Sequence, residues 1–179
     1  NILAMLTAQY YHEIGNSILY ALLQSWADMR GLDGTAAFFA SQSKGERDHA
    51  DMVLGYIHDR NEQLALGTVP PVEPLPDGMP NTYLGLFTAA LAREIETTDK
   101  IKAIRFQAVN EGDAMTFAWL DQPGGLVLEQ VEEINTIQTI LDRINTRMGN
   151  VSLDGADVTP AEMPGEVIHD IDCWLKARA

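Results

Sequence analysis

The stretch that decides the fold is NEQLALGTVPPVEPLPDGMP, residues 61–80, which contains five of the eight prolines. Proline fixes φ and lacks a backbone N–H, so this stretch cannot continue a helix. Two long segments of helical periodicity precede it, at about residues 2–30 and 35–60, and two follow it, at about 81–110 and 113–148. The connector therefore divides the chain into two pairs of predicted helices.

Short turns join the helices within each pair, which predicts two antiparallel hairpins. The 20-residue connector can reach about 66 Å when it is extended. A 26-residue helix is only about 39 Å long, so the connector can run the full length of a bundle. The sequence thus predicts an all-α fold: a four-helix bundle with a long crossover between the second and third helices.

The fourth helical segment is interrupted by Pro123-Gly124-Gly125, three strong helix breakers. Helical periodicity resumes at Leu126, which predicts a local bulge or break, with two separate helices as the alternative. Residues 150–160 are predicted to form a loop. Residues 162–179 predict a short amphipathic fifth helix, with acidic residues in its first turn and basic residues in its last.

The bundle, at about residues 2–148, and the fifth helix are predicted to form one domain spanning residues 1–179, since about 150 residues is typical of one domain. The four bundle helices already pair with one another. The apolar side of the fifth helix is therefore predicted to pack against other copies of the chain.

Charge and cysteine content exclude several function classes. Twelve basic and 26 acidic residues give a net charge of −14, which disfavours binding to nucleic-acid phosphates. The single cysteine, Cys173, excludes an internal disulfide and sites that need several thiolates.

The longest stretch without a charge or a histidine, residues 14–27, is too short to span a membrane. No signal peptide is recognised, so a cytoplasmic location is predicted, although the start at Asn1 leaves a removed targeting segment open.

Each predicted helix carries one glutamate in the row of residues that should face the core, because a helical face repeats at steps of three and four residues. These glutamates are Glu13, Glu46, Glu94 and Glu133. His49 lies one turn after the second of them, and Gln130 lies one turn before the fourth. A cluster of buried acids is therefore predicted inside the bundle.

Buried carboxylates are costly unless a positive charge compensates them. Two divalent cations would balance four carboxylates, and a carboxylate can bridge two metals. Glu46 and His49 are one turn apart and can share one metal. Oxygen ligands with little imidazole favour iron or manganese over structural zinc. Any one glutamate alone more often lies on a solvated face, but one per helix with a histidine at the right offset favours a dinuclear site.

The sequence resembles the non-haem ferritin family over about residues 6–147. The matching motifs are Gln9-Tyr10-Tyr11-His12-Glu13 with Tyr20, Glu46-Arg47-Asp48-His49, Glu94, and Glu129-Gln130-Val131-Glu132-Glu133. The resemblance implies a ferritin-like bundle with two iron sites. The implied ligands of the first iron are Glu13, Glu46 and His49. The implied ligands of the second are Glu46, Glu94 and Glu133, with Glu46 as the bridge.

The resemblance also implies roles for residues around these ligands. Gln130 would lie near the oxygen site, and Tyr20 would hydrogen-bond the site and act as an electron donor. Glu129 and Glu132 would belong to an accessory third site, but Gly45 stands where many prokaryotic members have a further acid. A full third site is therefore not expected.

By the same resemblance, the chain is expected to be a ferroxidase subunit that stores iron. It would oxidise Fe(II) with dioxygen or peroxide and hold Fe(III) mineral in a homo-oligomeric cage of 24 subunits. No haem is expected, because the fourth helix lacks the histidine ligand of bacterioferritins and Arg47 replaces their methionine. Two alternatives remain. The first is a rubrerythrin-like di-iron oxidase or peroxidase, which the missing Cys-x-x-Cys module disfavours. The second is a non-catalytic cage subunit, which the complete ligand set disfavours.

Overall fold

The computed structural model describes residues 1–69, 82–149 and 163–178. Six helices lie in these ranges: α1 Ile2–Asp28, α2 Asp33–Asp59, α3 Tyr83–Glu111, α4 Ala114–Asp121, α5 Leu126–Arg147 and α6 Gly165–Lys176. The all-α prediction is confirmed. The predicted loop at 150–160 lies outside the described residues. No helix in the described ranges combines the length and apolarity that a membrane crossing requires.

Two apolar clusters fill the two ends of the bundle. The first core cluster is centred on Leu23, Phe39, Phe87 and Ile140, and the second on Leu6, Ile57, Ile104 and Leu126. The helices α1 and α5 run from the second cluster to the first, whereas α2 and α3 run from the first to the second. Helix α2 therefore ends at the opposite end of the bundle from the start of α3, as the predicted crossover requires.

The crossover begins by packing along α1. The Tyr11 hydroxyl donates to the carbonyl of Ala65 at 3.3 Å and accepts from the backbone N–H of Gly67 at 3.2 Å. A Cβ atom at Gly67 would lie 2.4 Å from the Tyr11 ring. A larger residue would therefore push the connector away from the bundle.

The fourth segment is divided into two separate helices, so the alternative prediction is confirmed and the prediction of a local bulge or break within one helix is wrong. Helix α4 ends at Asp121, and α5 begins at Leu126, the residue at which the sequence pattern resumes. Gly124 adopts a φ of 72°, a left-handed conformation that glycine tolerates. A Cβ at Gly125 would lie 2.6 Å from the carbonyl oxygen of Leu120, so the chain passes close to the end of α4 there.

Helix α6 packs against its own subunit, so the prediction that its apolar side packs against other copies is wrong. Val167, Ile171 and Leu175 are buried in the first core cluster. The four helices leave apolar side chains uncovered at this end of the bundle, and counting paired helices along the sequence cannot reveal an open end. A Cβ at Gly34 would lie 2.0 Å from the carbonyl oxygen of Asp172, so this close approach requires glycine.

The N-terminus of α2 is capped by a side chain from α6. Asp172 accepts hydrogen bonds from the Thr35 backbone N–H at 2.7 Å, the Thr35 hydroxyl at 2.7 Å and the Gly34 N–H at 3.3 Å. The helix begins at Asp33, two residues before the predicted start at about residue 35. The acceptor for these N–H groups comes from about 137 residues away, beyond the reach of a local capping pattern.

We expect Asp172→Ala to lower the free energy of unfolding by about 1 to 2 kcal/mol, the cost of losing a helix cap. The reason is that the first turn of α2 loses its acceptor and α6 loses its polar anchor. Thermal and denaturant unfolding would measure the change. Asp170→Ala is the matched control, since Asp170 is exposed and forms only a surface ion pair with Arg147 at 3.3 Å. Equal stability of the two variants would contradict the capping role.

Candidate metal centre

The four core glutamates converge between the two core clusters, each contributed by a different helix. Glu13, Glu46 and Glu94 are at most 1 % exposed. The side chain of Glu133 is 15 % exposed. Each glutamate points into the bundle because it lies on the same helical face as buried residues that recur at steps of three and four positions.

The site residues form two groups, and within each group the possible ligand atoms all lie within 4.8 Å of one another. The first group is Glu13, Glu46 and His49, and the second is Glu46, Glu94 and Glu133. Glu46 belongs to both groups, so the two lie side by side. His49 Nδ1 lies 3.7 Å from a carboxylate oxygen of Glu46 and 3.7 Å from one of Glu133.

The carboxylates of the first group are held by amide donors on α1. Gln9 Nε2 donates to Glu13 Oε1 at 2.6 Å, and Asn16 Nδ2 donates to Glu13 Oε2 at 3.3 Å. Asn16 Nδ2 also lies 3.5 Å from Glu46 Oε2. The other oxygen of Glu46, Oε1, is buried without a hydrogen-bond partner. An unpartnered buried carboxylate oxygen is costly unless a cation occupies the space it faces.

The second group is held by Tyr20 and Gln130. The Tyr20 hydroxyl donates to Glu94, and Gln130 Nε2 donates to Glu94 at 3.2 Å and to Glu133. Thr98 Oγ1 donates to Gln130 Oε1 at 2.8 Å, which fixes the orientation of the amide. Tyr20 and Gln130 therefore both contact the predicted ligands directly.

Burial and mutual repulsion raise the pKa values of these acids. Burial, followed by the charge of Glu46, holds the pKa of Glu13 well above its usual range. Burial and then the Glu94 charge raise the pKa of Glu46. Burial and then Glu94 raise the pKa of Glu133 to about 9. Without a cation, the cluster therefore retains protons at neutral pH.

Basic side chains do not neutralise the cluster. Within the described residues, no lysine or arginine forms an ion pair with any of the four carboxylates, and the imidazole of His49 is the one basic group in contact with them. The free Glu46 oxygen and the carboxylate-rich donor set both fit a pair of divalent cations. Oxygen donors with one imidazole suit iron or manganese.

Glu129 and Glu132 lie outside both groups. Glu129 is half-buried and close enough to raise the pKa of Glu133, whereas Glu132 is exposed. Gly45 has no side chain that could join them, although the space around it would admit one. That these two acids bind iron without a full third site stays a prediction.

No role was predicted for Asn16 or Thr98, and Gln9 was predicted only to belong to a family motif. Gln9 precedes Glu13 by four residues and Asn16 follows it by three, so helical spacing alone places both beside that carboxylate. Polar residues three and four positions from a buried glutamate could therefore have predicted these two hydrogen-bond donors from the sequence. Thr98 had no such signal, because its partner Gln130 lies on another helix.

A family model described as a ferritin-like domain matches residues 3–147. The chain belongs to the ferritin family. A bacterial non-heme ferritin from Staphylococcus epidermidis is 32 % identical over 151 residues, which cover 83 % of this chain and 85 % of that protein. The bacterial non-heme ferritin of Staphylococcus aureus is 28 % identical over 152 residues, covering 85 % and 87 %. The predicted resemblance is confirmed, and family membership supports iron storage.

Solved ferritin structures share the fold. A crystal structure described as a novel open pore ferritin from the archaeon Archaeoglobus fulgidus has a TM-score of 0.80 and 22 % identity, covering 99 % of this chain and 97 % of that one. An iron-soaked variant of the protein PmFTN has a TM-score of 0.77 and 21 % identity, covering 96 % and 97 %. The bundle and the short C-terminal helix are therefore those of a ferritin subunit.

The raised acid pKa values predict an unusual pH dependence for the metal-free protein. Folded-state pKa values above the unfolded value of about 4.5 stabilise the protein at low pH, and this contribution is lost as pH rises towards 9. We expect the free energy of unfolding to fall between pH 7.5 and 9, by on the order of 1.4 kcal/mol per pH unit for each proton retained. Burial lowers the pKa of His12 to about 4, so its titration lies below this window.

Denaturant unfolding after treatment with a chelator would measure this slope. Glu133→Gln should flatten it, because one titrating group is removed. Added divalent metal should reverse it, since metal binding requires deprotonated carboxylates. A metal-free protein whose stability rises over the same pH range would contradict the assignment of retained protons.

Proposed function

We propose that this ferritin subunit is a ferroxidase: it binds two Fe(II) ions at the two groups and oxidises them before storage. The observation that carries the proposal is Glu46, which belongs to both groups and has a buried oxygen without a partner. A carboxylate in this position can bridge two cations a few ångströms apart. Iron is the substrate, with Glu13 and His49 completing the first site and Glu94 and Glu133 the second.

Binding of Fe(II) exchanges protons for metal. The acids retain protons in the absence of a cation, and each carboxylate that binds iron must lose its proton. Two ions carry four positive charges, which balance the four carboxylates inside the bundle. Binding of iron thus relieves the repulsion between the carboxylates that the fold holds close together.

Oxidation removes one electron from each Fe(II). Dioxygen takes up two electrons and two protons to become hydrogen peroxide, or peroxide takes up the same to become two waters. Gln130 orients Glu94 and Glu133 through its amide. The Tyr20 hydroxyl donates to Glu94, which suits a residue that orients this ligand, while its role as an electron donor stays a prediction.

The product Fe(III) would pass into a mineral enclosed by a homo-oligomeric cage, without haem. The net charge of −14 supplies acidic groups that suit mineral nucleation. The accessory acids Glu129 and Glu132 are proposed only as lower-affinity positions for iron.

Glu46→Ala tests the catalytic centre. We expect loss of both metal sites, and a fall in the initial rate of Fe(II) oxidation of more than about tenfold, because removing a shared ligand exceeds the usual effect of an outer-shell change. Slow mineralisation at other acids would persist. Asp51→Ala is the control on the same helix, since Asp51 is exposed and outside both groups. A full initial rate in Glu46→Ala would place the chemistry elsewhere.

Assembly has its own test. A cage of 24 subunits of 19.7 kDa would have a mass of about 470 kDa. Size-exclusion chromatography with light scattering should give one discrete peak near this mass at micromolar subunit concentration. A monomer or a simple dimer under these conditions would contradict the cage.

A further inference from the structure

A buried polar side chain next to the first group contacts three helices at once. Asn16, on α1, is fully buried. Its Nδ2 atom lies 3.3 Å from Glu13 Oε2 on its own helix, 3.5 Å from Glu46 Oε2 on α2, and 3.1 Å from Thr97 Oγ1 on α3. Its other polar atom, Oδ1, is buried and has no hydrogen-bond partner among the described residues.

The orientation of the Asn16 amide follows from its surroundings. When a cation is bound, Glu13 and Glu46 are deprotonated and can only accept hydrogen bonds. Turning the amide over would direct Oδ1 at these two oxygens, so three acceptors would meet without a hydrogen. The amide therefore directs its NH₂ group at the carboxylates and leaves Oδ1 unpartnered. The protein thus tolerates a lost hydrogen bond in order to keep a donor at this point.

Thr97 fixes the amide in place. Its hydroxyl donates to the carbonyl of Arg93 at 3.0 Å. The single hydroxyl proton is thereby used, so Thr97 accepts from Asn16 at 3.1 Å and from His12 Nε2 at 2.9 Å. One N–H of Asn16 is engaged with Thr97, and the second is shared between the Glu13 and Glu46 carboxylates.

We propose that Asn16, held by Thr97, is a positioning residue that sets the spacing of Glu13 and Glu46 for the first cation. This inference rests on the proposed function. The shared N–H draws one oxygen of each carboxylate to the same point, and Gln9 holds the other oxygen of Glu13. Glu46 Oε1 is then left free for the cations. Ligands pre-oriented in this way bind metal more tightly, because less side-chain freedom is lost on binding.

The test is an anaerobic Co²⁺ titration of the full chain, with the cobalt visible absorption spectrum as a reporter of coordination geometry. Asn16→Leu keeps the volume and removes the donor. We expect about 10- to 100-fold weaker binding of the first Co²⁺ and an altered spectrum. Thr97→Val should weaken binding in the same direction, and Thr97→Ser, which keeps the hydroxyl, should restore both affinity and spectrum.

A matched control separates positioning from general destabilisation. Thr7→Val removes another buried hydroxyl on α1, one that has no hydrogen-bond partner and lies outside both groups. This variant should titrate as the wild type does. If Asn16→Leu fails to fold, the Thr97→Val and Thr97→Ser pair decides the question.

Two results would overturn the inference alone. The first is that Asn16→Leu or Thr97→Val binds Co²⁺ within twofold of the wild-type affinity and with an unchanged spectrum. The second is that Thr97→Ser binds Co²⁺ as weakly as Thr97→Val does. A wild-type protein that does not bind two Co²⁺ ions would instead overturn the proposed function, and the inference with it.

Discussion

The burial of four carboxylates at one point inside the bundle is the constraint on which the rest of the structure depends. Glu13, Glu46, Glu94 and Glu133 repel one another in a region that is largely shielded from water. The two apolar clusters at the ends of the bundle supply the stabilisation that keeps these acids together. The fold thereby maintains electrostatic repulsion between the carboxylates. Bound protons reduce this repulsion in the metal-free state, and bound cations would reduce it in the metal-loaded state.

Amide and hydroxyl groups manage this cost without supplying positive charge. Gln9, Asn16, Gln130 and Tyr20 each donate to the carboxylates, and none of them carries a charge that would compete with a cation. A lysine or arginine in their place would neutralise the cluster permanently. Neutral donors instead orient the oxygens and leave the charge of the acids available for the substrate.

The ends of the bundle are completed by parts of the chain remote in sequence. Helix α6 covers the first core cluster and supplies Asp172 as the cap of α2, while Gly34 allows the two backbones to approach closely. The break at Gly124 and Gly125 separates α4 from α5, so that α5 starts afresh at Leu126 and carries Gln130 and Glu133 in regular register. The irregular features therefore lie outside the site and protect its geometry.

The sequence by itself determined the helices, the crossover and the five residues that converge, because helical periodicity fixes which side chains share a face. It also located the break, since proline and glycine act locally. Only the tertiary structure decided the packing of α6 against its own subunit, the capping of α2 by Asp172, and the contacts of Asn16 with Glu46 and Thr97. Each of these joins residues from different helices, and the relative rotation and end-to-end position of helices depend on the packing of the whole core, which no local pattern encodes.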